Sequence, residues 1–422
     1  MQNELFSYID NAEALAVKLE TELCKYPAIA PESGGQGEWD KALWLEDWLT
    51  KQNFAFKRID IKDERAKAGV RPNLVVDVNA ACNPFAASRE PANGETLWIM
   101  SHIDVVPPGE MSLWESDPWD VIRKDDPPGP RLIGRGVEDD QQGIVSSLIA
   151  AAAFKETGLA PGLPVKLLLC ADEESGSVYG AAALLKEYPD LFGKSDIILI
   201  PDGGDSKGET IEIAEKNLLW LEFTTLGKQA HGSRPDLGAN AHLAGAELAV
   251  RLHNELGTMY KDHDPLFEPD YSTFQPTRKT SNVPNINTIP GEDYFCMDMR
   301  ILPQYPVDTI LSVIDRIKTE TEKKHKVMIN YIVSQRVESQ ATPADSPLIT
   351  MLSRAVETVY GVRTRPIGIG GGTVGAFFRN KGLHCAVWSR IDNTAHQPNE
   401  YALIANILGD AKVMALLMAG GG

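Results

Sequence analysis

Short apolar runs that break off at acids and histidines set the pattern of this chain. Leu97-Trp98-Ile99-Met100 is followed by Ser101-His102-Ile103-Asp104. A leucine-rich run from Val165 to Ala171 is followed by Asp172-Glu173-Glu174, and Ile197-Ile198-Leu199-Ile200 by Pro201-Asp202. Runs of this length without polar alternation predict parallel strands buried on both faces. Residues 4–25 and 38–52 carry the spacing of amphipathic helices, with Ser33-Gly34-Gly35-Gln36-Gly37 as the loop between them. A further strand is predicted at 73–78 and a polar, Pro-containing connection at 82–94. Residues 144–154 predict a helix apolar nearly all round, hence buried, and residues 178–188 another helix. This rhythm implies an α/β fold, a mostly parallel mixed sheet with helices on its faces. The stretch 106–143 is a long loop rich in Pro, Asp and Trp, and loops of that length are usually functional.

The pattern changes after about residue 215. Strands are predicted at 218–225, 294–301 and 327–332, helices at 240–256 and 307–325, and a Pro-rich stretch at 263–290. This alternation reads as a ferredoxin-like α+β module, whose full order is βαββαβ. A helix at 347–360 and a strand at 386–388 then resume the first pattern. The expected organisation is an α/β domain in two parts, 1–216 and 336–422, interrupted by an inserted domain at 217–335.

The 422 residues are 43% hydrophobic and 24% charged, an ordinary globular composition. A net charge of -18 disfavours nucleic acid and anionic membranes as partners, while leaving small anionic substrates open. Cys24, Cys82, Cys170, Cys296 and Cys385 are scattered and form no CxxC pair, which fits reduced thiols in the cytoplasm. The first residues lack a basic segment and a long apolar run, so no signal peptide is expected, and no run approaches the roughly 20 residues of a membrane span.

Ligand sites in open α/β sheets form beyond the carboxyl ends of strands. His and carboxylates gathered there are the ligand types of a zinc site. The pair His102 and Asp104 reads as a metal-binding imidazole with its orienting carboxylate, or as a surface turn. In Gly134-Arg135-Gly136-Val137-Glu138-Asp139-Asp140, Asp140 and Glu138 could simply complement the dipole of the helix that follows. Asp172-Glu173-Glu174 is harder to read blandly, since adjacent carboxylates repel unless a cation or proton relieves them. His231 and His396, each taken alone, read as ordinary polar histidines. Gly370, Gly372 and Gly375 match GxGxxG, but too little chain follows for a dinucleotide-binding domain, and a loop lining a crevice is the better reading. No Gly-x-Ser-x-Gly elbow is present.

Together these segments resemble the co-catalytic zinc peptidases and amidohydrolases, the family of succinyl-diaminopimelate desuccinylase, acetylornithine deacetylase, aminoacylase, carnosinase-type dipeptidases and a glutamate carboxypeptidase. The resemblance spans essentially the whole chain. It implies two zinc ions, with cobalt or manganese able to substitute. His102 and Asp202 would hold one ion and Glu174 and His396 the other, with Asp139 bridging and Asp104 orienting His102. It makes Glu173 the general base and His231 a histidine that reaches the neighbouring subunit's active site. Arg300 would grip a substrate carboxylate beside Gly371, Gly372 and Thr373. A homodimer through the inserted domain is implied, as is a small N-acyl amino acid or short peptide with a free carboxylate as substrate. The implied activity is deacylation, with dipeptidase or carboxypeptidase action as the alternative and a non-catalytic binding relative as the remote one. One departure stands out: many relatives have Asp-x-Lys-Gly where this chain has Asp139-Asp140-Gln141-Gln142-Gly143.

Overall fold

The structure is a computed structural model and describes residues 1–82 and 95–421. All but the first residue of the connection expected at 82–94 therefore lies outside the described residues. The chain forms two compact units. One comprises Met1–Ile213, Thr342–Pro366 and Phe377–Gly422; the other comprises Ala214–Ala341 and Ile367–Ala376.

The first unit is built on a large mixed sheet. Its centre is four neighbouring parallel strands, in the order Val165–Cys170, Leu97–His102, Ile197–Asp205 and His384–Arg390. These are the apolar runs of the sequence, and all six residues of Leu97–His102 are buried. Val70–Asp77 and Ala55–Lys62 extend one side antiparallel, and Thr210–Glu215 pairs antiparallel on the other. The helix Gln142–Thr157 is buried from Gln142 to Phe154, and Gly158 ends it in the left-handed conformation at φ 71°. It packs against Ile404–Met418, a helix whose mean hydropathy is likewise high and whose inner residues are fully buried. The predicted helix at 4–25 is two helices, Gln2–Asp10 and Glu13–Cys24, broken at Asn11-Ala12. The long loop at 106–143 contains two short strands, Ile122–Lys124 and Arg131–Ile133, which form a small sheet with Tyr401–Leu403.

The second unit carries a four-stranded antiparallel sheet in the order Thr273–Ser281, Glu292–Ile301, Asn217–Leu226, Met328–Val337. With the helices Ala241–Met259 and Val307–His325, this is the ferredoxin-like order. Burial alternates along Glu292–Ile301, so Phe295, Met297 and Met299 meet Leu248, Leu252, Ile310 and Ile314 in one core. Each such side chain contributes about 1.5–3 kcal/mol when fully buried. Thr273–Ser281 lies in the stretch read from sequence only as Pro-rich. It is an edge strand exposed over most of its length, and its pairing slips between Pro276 and Lys279, where an edge tolerates proline.

Candidate metal centre

Strand register brings the acids together. His102 ends its strand level with Cys170, so Glu173 and Glu174 follow just beyond the same edge. Asp202 comes from the next strand, whose pairing with Leu97–Ile99 covers Ile197–Leu199. Asp139 lies in the tight turn Val137–Gln141, immediately before the buried helix. His396 stands on the loop that follows the strand His384–Arg390.

His102 is buried, with Nε2 2.8 Å from Asp139 Oδ1 and 3.7 Å from Asp202 Oδ2. Its Nδ1 lies 3.0 Å from the main-chain oxygen of Asp104 and 3.5 Å from the carboxylate. This contact orients the ring and aims Nε2 into the cluster. The Asp104 carboxylate does more than flank His102. It accepts the backbone N–H of Glu173 at 3.0 Å and of Glu174 at 3.1 Å, which fixes the turn that carries both acids. His396 is exposed, with Nε2 3.1 Å from Asp139 Oδ2 and 3.2 Å from Glu174 Oε2. Asp139 thus faces one imidazole with each oxygen.

The electrostatics follow from crowding. Burial disfavours charge on His102, but its bonds to Asp104 and Asp139 outweigh burial and raise its pKa. Bonds to Asp139 and Glu174 raise His396 to about 10. Burial opposes ionisation of Asp139, yet the two imidazoles hold it below the usual carboxylate range. Burial pushes Asp202 up, with Asp139 adding to the effect. Burial also pushes Glu173 up to about 7; His102 pulls it down while Glu174 and Asp104 add to the rise. The cluster is short of positive charge, and a divalent cation bound there would supply it. The donors, imidazole nitrogen and carboxylate oxygen, suit such an ion. Two triads place one ligand atom each within 4.8 Å of one another: His102, Asp139, Glu174 and His102, Glu173, Asp202. Glu173, which the resemblance makes a base, is therefore also within ligand reach.

The model of peptidase family M20/M25/M40 matches residues 98–420. The chain belongs to this family. It is 37% identical over 416 residues to an uncharacterised metallohydrolase of Methanococcus maripaludis, covering 94% of this chain and 97% of that protein. It is 28% identical over 397 residues to a succinyl-diaminopimelate desuccinylase of Cereibacter sphaeroides, covering 93% and 94%. Among solved structures it resembles the aminopeptidase PepT of Bacillus cereus, with a TM-score of 0.76 at 17% identity over 97% of this chain and 98% of that one. Human carnosine dipeptidase 1 gives a TM-score of 0.71 at 16% identity over 100% and 98%. These likenesses establish the M20 fold, and the family establishes a metal-dependent hydrolase acting on amide bonds.

The other predicted residues lie in the second unit. His231 is exposed, with Nδ1 2.8 Å from Ser233 Oγ. Arg300 Nη1 donates to the Gly370 oxygen at 2.7 Å, and Nε to Asp298 Oδ1 at 2.7 Å. Thr373 Oγ1 donates to the buried Glu215 carboxylate, which also accepts from Ser339 Oγ at 2.6 Å. A Cβ at Gly370 or Gly372 would meet nothing within 4 Å, and one at Gly371 only Ile369 Cδ1 at 4.0 Å.

Three features escaped the sequence. Asp140 and Glu138 make bonds beyond the helix they precede: Asp140 Oδ2 accepts the His102 N–H at 3.1 Å, and Glu138 binds backbone of the 392–395 segment. Glu400 is buried and accepts N–H bonds from the turn around Asp139. Lys41 is buried too; burial pulls it down to about 8 while Cys24, Asp104, Glu20 and Glu38 favour its charge. With its amide oxygen toward Lys41 Nζ at 3.3 Å and its nitrogen toward Glu20 Oε2 at 3.2 Å, Gln141 bridges the two. Position 141 thus meets a lysine from the helix Trp39–Lys51.

Proposed function

We propose that this protein is a two-zinc hydrolase that cleaves the amide bond of an N-acyl amino acid bearing a free carboxylate. The carrying observation is the meeting of His102, Asp139, Glu174, Asp202 and His396 around Glu173, a carboxylate that burial pushes up to about 7. His102 and Asp202 are assigned to one ion, Glu174 and His396 to the other, and Asp139 to both. Two divalent ions, when bound, supply Lewis acidity that acidifies water and polarises a carbonyl. Glu173 accepts the proton of the attacking water on its carboxylate and returns it to the nitrogen of the leaving amine, a role that favours a pKa near neutrality. Asp104 keeps Glu173 in place through the backbone bond at 3.0 Å. In the second unit, Arg300 is assigned to the substrate carboxylate, beside Gly371, Gly372 and Thr373. His231 is assigned to the carbonyl oxygen in the neighbouring subunit of a homodimer formed through the inserted domain. Its Nδ1 is engaged by Ser233, so Nε2 is the nitrogen for that task.

Deacylation is preferred over dipeptidase or carboxypeptidase action because desuccinylases match this chain at 24–28% identity along more than nine-tenths of its length. A cytoplasmic location is supported by the five free cysteines. Among the described residues no helix is long and apolar enough to cross a membrane. The test is amine release from a panel of succinyl-diaminopimelate, acetyl-amino acids and dipeptides, with and without zinc. Zinc-dependent release from an acyl-amino acid is expected. Release from dipeptides alone turns the reading to a peptidase, and no release by metal-loaded protein removes it.

A further inference from the structure

Two buried carboxylates outside the proposed ligand set exchange places across the His396 side of the cluster. Glu138 precedes Asp139 in sequence, yet its side chain serves the other segment. Its Oε1 accepts the Asp392 N–H at 2.7 Å. Its Oε2 accepts the Thr394 N–H, the Thr394 hydroxyl at 2.9 Å and the Ala395 N–H at 3.0 Å. The bonded segment is the one that ends in His396. Glu400 lies four residues after His396, yet its carboxylate serves the turn that carries Asp139. It accepts the N–H of Gly136 at 3.0 Å, of Glu138 at 2.9 Å and of Asp139 at 3.1 Å, and it pairs with Arg135.

Burying a carboxylate is costly unless donors surround it, and here each has four. A second observation says why the His396 segment needs holding. Asn393, His396 and Asn399 have φ values of 59°, 63° and 60°, in the left-handed region that non-glycine residues avoid. Backbone in that region persists only where its surroundings over-determine it. Neither side of this pair is fixed by a strand end, as His102 is.

We propose that Glu138 and Glu400 are positioning residues that form a reciprocal clamp, setting the separation of Asp139 and His396 and with it the affinity for the ion these two hold with Glu174. The proposal rests on the reading of Asp139 and His396 as ligands. Its test is titration of metal-free full-length protein with Co2+ against a chromogenic chelator, with the visible absorption of each bound cobalt followed separately. His396→Ala marks which ion belongs to this side. Glu138→Gln keeps the shape and one carbonyl oxygen, and should weaken that same ion about 10- to 100-fold, while the other ion, which shares only Asp139 with it, weakens by clearly less. Glu400→Gln should do the same. Should either variant fail to fold, Thr394→Ala takes one of the four donors from Glu138, together with the hydroxyl's bonds to the Tyr401 main chain, and should weaken the same ion roughly two- to tenfold. Folded variants that bind both ions like wild type, or lose both equally, overturn the clamp. If His396→Ala changes neither ion, the ligand reading itself falls and the clamp with it.

Discussion

The two histidines of the cluster are held in opposite ways. His102 ends a central strand, is buried, and has its ring fixed by the oxygen of Asp104 two residues on. His396 is exposed, sits on a loop in left-handed backbone, and depends on a carboxylate from another segment. Regular secondary structure places the first histidine, and buried hydrogen bonds place the second. The first kind of placement can be read from neighbours in sequence, whereas the second needs the fold.

The largest expected effect tests what both sides serve. Glu173→Gln should lower kcat by about 10²- to 10⁴-fold while both ions stay bound. Loss of an ion in that variant would instead make Glu173 a ligand, as its place in the second triad allows. Next, His102→Ala and His396→Ala should each release metal but differ in stability. Measured by urea unfolding of metal-free protein, the buried substitution should cost about 2–3 kcal/mol and the exposed one under about 0.5 kcal/mol. Equal costs would erase the contrast between the two sides.

Lys41 offers a finer test on the buried side. Lys41→Met should destabilise by about 3 kcal/mol, since it strands acids in the interior, and adding Gln141→Lys should restore a good part of that. No change on the first substitution would show that Lys41 does not balance Glu20.

The smallest effect concerns the root of the His396 loop. Asp410 accepts the Arg390 N–H at 3.1 Å and bonds from Gln142 and Ser389, and burial pushes it up to about 6. A carboxyl raised in the folded state stabilises fully below its unfolded pKa, about 4, and that contribution is lost as pH rises through 6. The stability of Asp410→Asn relative to wild type should therefore improve by about 2 kcal/mol from pH 4 to pH 7. A constant difference across that range would refute the raised value.

Legibility in the sequence follows the same division. The central strands and the acids just beyond them could be read because buried parallel strands are written as unbroken apolar runs. Thr273–Ser281 could not, because an exposed edge strand containing Pro276 has no apolar face to show. Glu138 was visible only as one acid in a row, and nothing in its neighbours says that its partners lie more than 250 positions away. Glu20, Lys41 and Gln141 meet only once helix and turn have packed, so the charge that reaches position 141 could not be read from its neighbours.

The glycines at 370–372 carry a different kind of information. A methyl group at 370 or 372 would meet nothing within 4 Å, and one at 371 only Ile369 Cδ1 at ordinary contact distance, so packing has no steric objection to alanine at these positions. A library screened for expression or thermal tolerance should accept Ala at 371 and 372 freely. The same library screened for turnover should reject them if a ligand claims that space. The two screens, set side by side, would map where the substrate lies without any bound molecule in view.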